Sequence, residues 1–323
     1  MNNQTPERVA AVLILAAVAG LANGAYPERP IRLLVPSSAG SGPDTVARIL
    51  ATRLSVMLGQ QIVADNRAGA NGVLASETVA RAAPDGYTLL MTSGGHTSNP
   101  HIYRKLPYDT LADFTPITCF ATTGGLVVVA TPTFAARTIQ QLIDLARVAP
   151  GKVAYASAGV GNLTHLAGEM FNQMAGVKLL HVPYKGGGPA IIDVIGGQVP
   201  LMFASGPISI PHVKTGKLRA LAYTGVKRFD QIPDVPTMDE SGLKGYEAIG
   251  WYGLYGPARL PAPILTRIYE ATRDGVRHPE TRQALGQFNI EPADSTPAQF
   301  ARFLREDLVK YGKIVKAAGI EPQ

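Results

Sequence analysis

The sequence predicts an α/β fold of two lobes, with mostly parallel sheets flanked by helices. Two observations support this prediction. Short apolar runs that suit buried strands alternate along the chain with segments whose apolar residues recur at helical spacing, which is the pattern of an α/β protein. About 300 residues follow an N-terminal leader, which exceeds one typical domain of about 150 residues, so two lobes are expected.

The leader is a separate element that we exclude from the fold. Residues 9–22 (VAAVLILAAVAGLA) form an apolar run that is preceded by Arg8 and followed by small residues, as in a secretory signal peptide. The run is too short to span a bilayer as a stable anchor. We expect residues 1–24 to be the signal peptide, with cleavage near Gly24 or Ala25. No lipid attachment is expected, because no cysteine lies at the cleavage point.

Units of strand, glycine-rich loop and helix recur along the chain. In the first, residues 31–35 (IRLLV) suit a buried strand, the loop is rich in Ser and Gly, and the apolar positions of a helix follow at Val46, Ile49, Leu50, Leu54 and Met57. In the second, residues 152–157 (KVAYAS) are the strand and AGVGN is the loop. We expect Asn162 to cap the helix that follows and Gly176 to end it.

A third unit has residues 179–184 (LLHVPY) as strand and KGGG as loop, with a helix that starts near Pro189 and ends at Gly196. A fourth strand, residues 87–92 (YTLLMT), is predicted to open into a flexible loop, SGGHTSNP. Three further apolar runs are predicted strands: residues 126–130, 199–203 and 218–223.

The loops between strand and helix are candidate anion sites. The first N–H groups of a helix lack intrahelical partners and carry a partial positive charge, so they bind anions without a cationic side chain. Parallel α/β sheets bind ligands at this end of their strands, which raises the expectation of a site. Ser37, Ser38 and Ser41 add hydroxyl donors to the first loop. Asp44 falls in the first helical turn, where it either stabilises the helix or organises a site.

Other side chains near these loops have two interpretations each. His96 lies in the predicted SGGHTSNP loop and is a candidate ligand contact, whereas His165, just inside a helix, is more typical of packing. Lys185 either attracts an anion or is merely solvated. Core or hinge packing is favoured over a ligand-facing wall for three aromatic residues, Trp251, Tyr252 and Tyr255.

Several functional classes are excluded by composition and motifs. The net charge of +6 is scattered over the chain, whereas nucleic-acid binders concentrate charge in a patch, so no nucleic-acid partner is expected. The single cysteine, Cys119, permits no internal disulfide. The chain has no GxSxG, GxxxxGK[ST] or HExxH motif, and its histidines lack the spacing of a zinc site. We therefore expect no catalytic residue, no metal and no cofactor.

A series of ordered motifs covers essentially the whole mature chain: YPERPIRLLVP, Gly40 and Asp44 with Ala47 and Arg48, NRAGANG, APDGYTLL, LPYDTLADFTP, ASAGVGNLTHLAGEMF, HVPYKGGGPA, GGQV, GKLRALA and DVPTMDESG. In these motifs the chain resembles the periplasmic solute receptors of tripartite tricarboxylate transporters, also described as Bordetella uptake (Bug) receptors. Because so many motifs occur at the family's spacing, the resemblance is highly specific.

The resemblance implies a two-lobed type II periplasmic binding protein that closes like a flytrap (Venus flytrap) around a small carboxylate. It implies a monomer located in the periplasm, a membrane permease as partner, and neither a metal nor a cofactor. One lobe would comprise residues 25–124 and 225–323, and the other residues 125–224. The expected ligand-binding residues are Ser38, Ala39, Gly40, Ser41, Gly42, Asp44, Ser93, Gly94, His96, Thr97, Ser157, Gly159, Gly161, Asn162, Tyr184, Ala204 and Ser205.

One departure from the family bears on the ligand. Some members carry an aspartate that can meet a ligand amine where this chain has Ala204, so a simple carboxylate (a di- or tricarboxylate or an aromatic carboxylate) is favoured over an amino acid. Two alternative functions stay open. One is a ligand-dependent co-receptor for a sensor kinase. The other is a secreted hydrolase or lyase that uses Ser157 and His165, for which the sequence offers no third group to orient the base.

Overall fold

The structure, a computed structural model, describes residues 26–322. The predicted signal peptide, residues 1–24, lies outside these residues. The strands are β1 (Ile31–Val35), β2 (Ile62–Asn66), β3 (Thr88–Ser93), β4 (Phe114–Thr123), β5 (Leu126–Ala130), β6 (Ala154–Ser157), β7 (Leu180–Pro183), β8 (Leu201–Ser205), β9 (Arg219–Tyr223), β10 (Trp251–Pro257) and β11 (Ile290–Pro292).

The helices are α1 (Gly42–Leu58), α2 (Val73–Ala80), α3 (Gly95–Ile102), α4 (Ile139–Val148), α5 (Leu163–Ala175), α6 (Gly187–Ile195), α7 (Gly206–Lys214), α8 (Ala262–Arg277), α9 (Pro279–Gly286) and α10 (Pro297–Ala317), with a short 3-10 turn at Ala70–Gly72. Among residues 26–322, no helix combines the length and the apolar character needed to cross a bilayer.

Two sheets form the centres of two lobes, which confirms the two-lobed α/β prediction. The first sheet has the strand order β11-β4-β10-β3-β1-β2, and the second has the order β7-β6-β8-β5-β9. Each sheet has helices packed against it. Separate apolar clusters form the cores, one around β1 and α1 and another around β5, α4 and α5.

Both sheets are mixed rather than mostly parallel. β1 pairs in parallel with β2 and β3, and β6 with β7 and β8, but β5 and β10 run antiparallel to both of their neighbours. The reason lies in the chain path. β5 and β10 are the first strands after the chain has passed from one lobe to the other, so they begin at the cleft, where the parallel strands end.

The second passage between the lobes lies at Gly250. Residues of the preceding segment, such as Met238, Leu243 and Tyr246, belong to the apolar core of the second sheet. The sequence-based division assigns residues 225–249 to the first lobe, because the Pro- and Gly-rich composition of this stretch does not show which sheet it covers. We infer instead that lobe 1 comprises residues 26–124 and 250–322.

The predicted elements agree with the structure at the three loop-helix units. Asn162 caps α5 by accepting a hydrogen bond from the N–H of Thr164, and Gly176 ends this helix in the left-handed conformation. The predicted SGGHTSNP loop is wrong, because its residues form the end of β3 and helix α3. Its glycines and proline favour a loop locally, but His96, Thr97, Ser98 and Asn99 are all buried, so tertiary packing decides the conformation.

Candidate ligand-binding site

A cavity of about 280 Å³ lies between the two lobes. The first lobe contributes residues of the loop after β1, the 3-10 turn, the end of β3 and the start of β10. The second lobe contributes the loop after β6, the loop after β7 and the end of β8. The loops that the sequence marks as candidate anion sites thus meet at one place.

Helix N-termini dominate the wall of this cavity. The residues that precede the first turn of α1, α3, α5, α6 and α7 all line it, namely Ser41, Gly94, Asn162, Gly186 and Ser205. Each helix start presents N–H groups without intrahelical partners and about half a positive charge. Because these starts surround one space, the cavity is suited to a negatively charged ligand.

Asp44 stabilises the first loop through hydrogen bonds and does not itself line the cavity. One carboxylate oxygen accepts hydrogen bonds from the Gly40 N–H at 2.8 Å and from Arg48 Nε at 3.0 Å, and the other accepts one from Asn66 at 2.9 Å. Burial raises the pKa of Asp44, but the hydrogen bonds from Arg48, Gly40 and Asn66 outweigh burial and hold the pKa below its usual value. The carboxylate is therefore ionised and engaged with the protein, and it shapes the loop that faces the cavity.

A buried polar cluster supports the second loop. Nδ1 of His165 accepts a hydrogen bond from the Gly161 N–H at 3.0 Å, and the His165 ring stacks on His181 with centroids 3.8 Å apart. Ser157 Oγ and His181 Nε2 are 2.6 Å apart. Burial lowers the pKa of His165 to about 4, and burial together with the neighbouring His165 lowers that of His181 to about 3. Both rings are therefore neutral near pH 7.

The two lobes contact each other around the cavity. Ser98 Oγ donates a hydrogen bond to the Gly161 carbonyl oxygen at 2.9 Å, which joins α3 to the loop after β6. An apolar cluster crosses the interface beside it, with Ile102 and Tyr311 from the first lobe and Leu166 from the second. Direct contacts between the lobes beside the cavity are the arrangement of a protein whose lobes have closed.

The charge of the lining has one sign. Among the described residues that line the cavity there is no Asp or Glu, and Lys185 is the one Lys or Arg. The nearby Asp193 lies outside the lining, where its carboxylate accepts a hydrogen bond from the Tyr184 hydroxyl at 2.6 Å. Aromatic residues make up part of the remaining lining: Tyr103, Tyr184, Trp251, Tyr252 and Tyr311. Within residues 26–322, no three His, Cys, Asp or Glu side chains are grouped so as to hold a metal ion.

Comparison with known proteins agrees with this arrangement. The sequence model described as "Tripartite tricarboxylate transporter family receptor" matches residues 46–320. The chain belongs to this receptor family. A relative from Pseudomonas sp. strain P51, described as the UPF0065 protein in the tcbD-tcbE intergenic region, is 36% identical over 293 residues, which are 90% of this chain and 87% of the relative.

Two solved structures are similar over nearly the whole chain. The periplasmic binding protein BugD is 34% identical with a TM-score of 0.88, and the match covers 92% of this receptor and 100% of BugD. R. palustris Rpa4515, solved with adipate, is 32% identical with a TM-score of 0.89 over 92% of this receptor and 100% of that chain.

The predicted ligand-binding residues of the receptor separate into two groups. Those that line the cavity are Ser41, Gly42, Ser93, Gly94, Gly159, Asn162, Tyr184 and Ser205. Those outside the lining are Ser38, Ala39, Gly40, Asp44, His96, Thr97, Ser157, Gly161 and Ala204. Direct ligand binding by the first group stays a prediction. The second group contains residues, such as Asp44, that hydrogen-bond to the loops without lining the cavity.

His96 and Ala204 do not line the cavity. His96 is 1% exposed, its ring packs against Phe114 and Tyr255, and Nε2 lies 3.1 Å from the Thr110 carbonyl oxygen. The expectation that His96 occupies a flexible loop fails because this segment is the buried helix α3. Ala204 lies in β8 and belongs to the apolar core of the second lobe.

The Ser157–His165 pair considered for a hydrolase does not form. Ser157 contacts His181 instead, and His165 uses Nδ1 to bind the Gly161 N–H. Ser157 is fully buried, and neither Ser157 nor His181 lines the cavity. The serine hydroxyl is therefore not placed to attack a bound ligand.

Sequence reasoning missed part of the lining. Ala70 and Asn71 line the cavity from a turn in which both have positive φ, and Asn71 Nδ2 donates to Asn99 at 2.9 Å. The motif NRAGANG contains the signal, since Asn and Gly tolerate positive φ. Tyr311 lies on α10, far from the other lining residues in sequence, and no local pattern indicates its position.

Proposed function

We propose that this receptor captures a small organic acid between its lobes in the periplasm and presents it to the membrane permease of a tripartite tricarboxylate transporter. The observation that carries the proposal is the cavity wall: five helix N-termini surround it, and its described lining contains Lys185 but no acidic side chain. An anion is the ligand that such a wall favours.

The strength of binding follows from the number of donors. A hydrogen bond to a charged group contributes about 1.5 to 3 kcal/mol, and a micromolar ligand requires about 8 kcal/mol. Four or five such bonds, less the cost of ordering the ligand and closing the lobes, reach this range. Backbone donors also allow release, because the ligand leaves no buried cation without a partner.

A simple carboxylate fits the cavity better than an amino acid. The ammonium group of an amino acid needs an acidic partner when it leaves water, and the described lining offers none. The adipate bound to the R. palustris relative supports the same ligand class for this receptor. The adjacent aromatic and apolar residues would pack against the hydrocarbon part of the acid.

Binding without turnover is part of the proposal. The buried Ser157–His181 pair does not face the ligand space. A bound acid should therefore be recovered chemically unchanged.

The proposal is tested by a thermal-shift screen of the purified chain against dicarboxylates, tricarboxylates, aromatic monocarboxylates and acidic amino acids, followed by calorimetry. A ligand present at 100 times its dissociation constant stabilises the folded state by about 2.7 kcal/mol, which should raise Tm by about 4 °C. We expect such a rise with at least one carboxylate, with the acid recovered intact by mass spectrometry. No rise with any carboxylate, or conversion of the acid, would overturn the proposal.

A further inference from the structure

Asp307 on α10 is a buried carboxylate outside the cavity lining. It is 5% exposed, and its Oδ2 accepts hydrogen bonds from Trp251 Nε1 at 3.0 Å and from Thr97 Oγ1 at 2.6 Å. Burial raises the pKa of Asp307, while the bonds from Thr97 and Trp251 and the charge of Lys310 act in the opposite direction. A buried carboxylate is costly, so its partners identify what it does in the structure.

The two partners of Asp307 belong to elements that form walls of the cavity. Trp251 is the first residue of β10 and lines the cavity with its neighbour Tyr252. Thr97 lies in the first turn of α3, two residues after the lining residue Gly95, but does not itself line the cavity. One carboxylate therefore connects three elements, namely α10, β10 and α3.

The same face of α10 also reaches the cavity directly. Tyr311 lies one turn after Asp307, lines the cavity and packs so closely on Gly94 that a Cβ atom there would overlap its hydroxyl. The Trp251 ring makes T-shaped contacts with Phe300 and Phe303, at centroid distances of 5.7 and 5.6 Å. These contacts restrain the tilt of the indole, and the bond to Asp307 fixes its rotation because the indole has only one donor.

We propose that Asp307 is a positioning residue for ligand selectivity: it holds Trp251 and the first turn of α3 in place, and so sets the length of hydrocarbon chain that the cavity accepts. This inference rests on the proposed carboxylate function. The ligand's carboxylate would be recognised by the helix N-termini, and the aromatic wall fixed by Asp307 would limit the remainder of the molecule.

The test combines ligand selectivity with a spectroscopic signal. Trp251 is the only tryptophan in the sequence, so intrinsic emission reports this one indole. The variants are Asp307→Ala, Asp307→Asn and Thr97→Val in the full chain, with Asp274→Asn on the exposed face of α8 as the control. The probes are unbranched dicarboxylates from succinate to suberate, measured by calorimetry, and acrylamide quenching of Trp251.

We expect the unmodified chain to prefer one chain length about ten-fold over the shortest acid, and Asp307→Ala to reduce this preference to about two-fold. Emission of Trp251 should shift to the red in Asp307→Ala, with roughly doubled quenching by acrylamide. Asp307→Asn, which keeps an acceptor for the indole, should retain most of the emission. Thr97→Val should reduce the length preference without shifting the emission, and Asp274→Asn should change neither.

A folded Asp307→Ala variant with unchanged emission and unchanged length preference would overturn the inference. If Asp307→Ala does not fold by circular dichroism, Thr97→Val decides: an unchanged length preference in this variant overturns the inference. If the unmodified chain binds none of the acids, the proposed function and the selectivity role fail together. If the unmodified chain binds the acids, and the variants show the same length preference and the same Trp251 emission as the unmodified chain, the role of Asp307 fails alone.

Discussion

Ser98 Oγ on α3 of the first lobe donates a hydrogen bond to the carbonyl oxygen of Gly161 in the second lobe, at 2.9 Å. The N–H of the same glycine donates to His165 Nδ1 at 3.0 Å, so Gly161 is held from both sides. This bond exists only when the lobes are together. It therefore contributes to closure around the ligand and not to the stability of either lobe alone.

We predict that Ser98→Ala weakens ligand binding by roughly five-fold, because one neutral hydrogen bond contributes about 1 kcal/mol. Calorimetry with the best acid from the thermal-shift screen measures the change. The matched control is Ser241→Ala, since the Ser241 hydroxyl bonds to Thr237 within the second lobe at 2.7 Å. Equal losses of affinity in both variants would contradict a role of the Ser98 bond in closure.

Gly161 provides a second test of closure. Its φ is +73°, and a Cβ atom there would overlap the Cδ1 atom of Ile102 in the opposite lobe. We predict that Gly161→Ala reduces ligand affinity by more than ten-fold and prevents the decrease in radius of gyration that a ligand should cause in X-ray scattering. The backbone strain of a left-handed alanine is present in open and closed forms alike, so the overlap is what acts on closure.

The double variant Gly161→Ala with Ile102→Val separates the overlap from the strain. Valine lacks the Cδ1 atom that the new methyl group meets, so part of the lost affinity should return relative to Gly161→Ala. The single variant Ile102→Val measures the cost of the smaller side chain by itself. If the loss of binding free energy in the double variant equals or exceeds the sum of the losses in the two single variants, the overlap with Ile102 is not the cause.

The site loops were predictable because their signals are local. The glycines and serines of residues 36–42, the cap at Asn162 and the glycines of residues 186–188 each follow a strand, and the carboxyl ends of strands meet at one edge of a sheet. The positions of β5 and β10 in their sheets were not predictable in the same way. Their orientation depends on the chain passing between the lobes, which is a tertiary property.

The errors concerned side chains whose partners are distant in sequence. His96 is surrounded by aromatic residues of β4 and β10, such as Phe114 and Tyr255, and the local sequence SGGHTSNP contains no sign of them. Ser157 contacts His181 and not His165, because β6 and β7 are neighbouring parallel strands. Asp307 and Tyr311 reach the site from a C-terminal helix, a placement that only the folded chain shows.

Lys185 gives an electrostatic prediction. It is exposed at the cavity and is the one Lys or Arg in the described lining. We predict that Lys185→Gln weakens binding of a carboxylate two- to five-fold at low salt and reduces the dependence of affinity on ionic strength, because exposed charges contribute less than about 1 kcal/mol and are screened. Calorimetry at 20 and 300 mM salt measures both effects.

The control for this prediction is Lys217→Gln, which removes an exposed charge from the loop between α7 and β9, away from the lining. It should leave the affinity nearly unchanged. The same loss in both variants would assign the effect to net charge and not to the position of Lys185.

The buried histidines predict how stability depends on pH. Burial lowers the pKa of His96 to about 4, of His165 to about 4 and of His181 to about 3, all below the ordinary value of 6.5. The unfolded chain therefore binds protons before the folded chain does. The stability from these neutral rings is fully present above about pH 6.5 and is lost as the pH falls toward 4.

His96 allows this effect to be measured at one residue. It is 1% exposed, and its lowered pKa should reduce the free energy of unfolding by up to about 3 kcal/mol as the pH falls from 6.5 to below 4. We predict that His96→Phe, which keeps an aromatic ring among Tyr108, Phe114 and Tyr255, makes the unfolding free energy fall less steeply between pH 6.5 and 4, by up to about 1.4 kcal/mol per pH unit. Urea denaturation at four pH values across this range measures the slope.

His212→Gln, at a partly exposed histidine on α7, is the control and should keep the slope of the unmodified chain. Parallel slopes for His96→Phe and the unmodified chain would show that His96 is not the proton acceptor on unfolding, because a buried neutral histidine must take up a proton when it reaches water in this range.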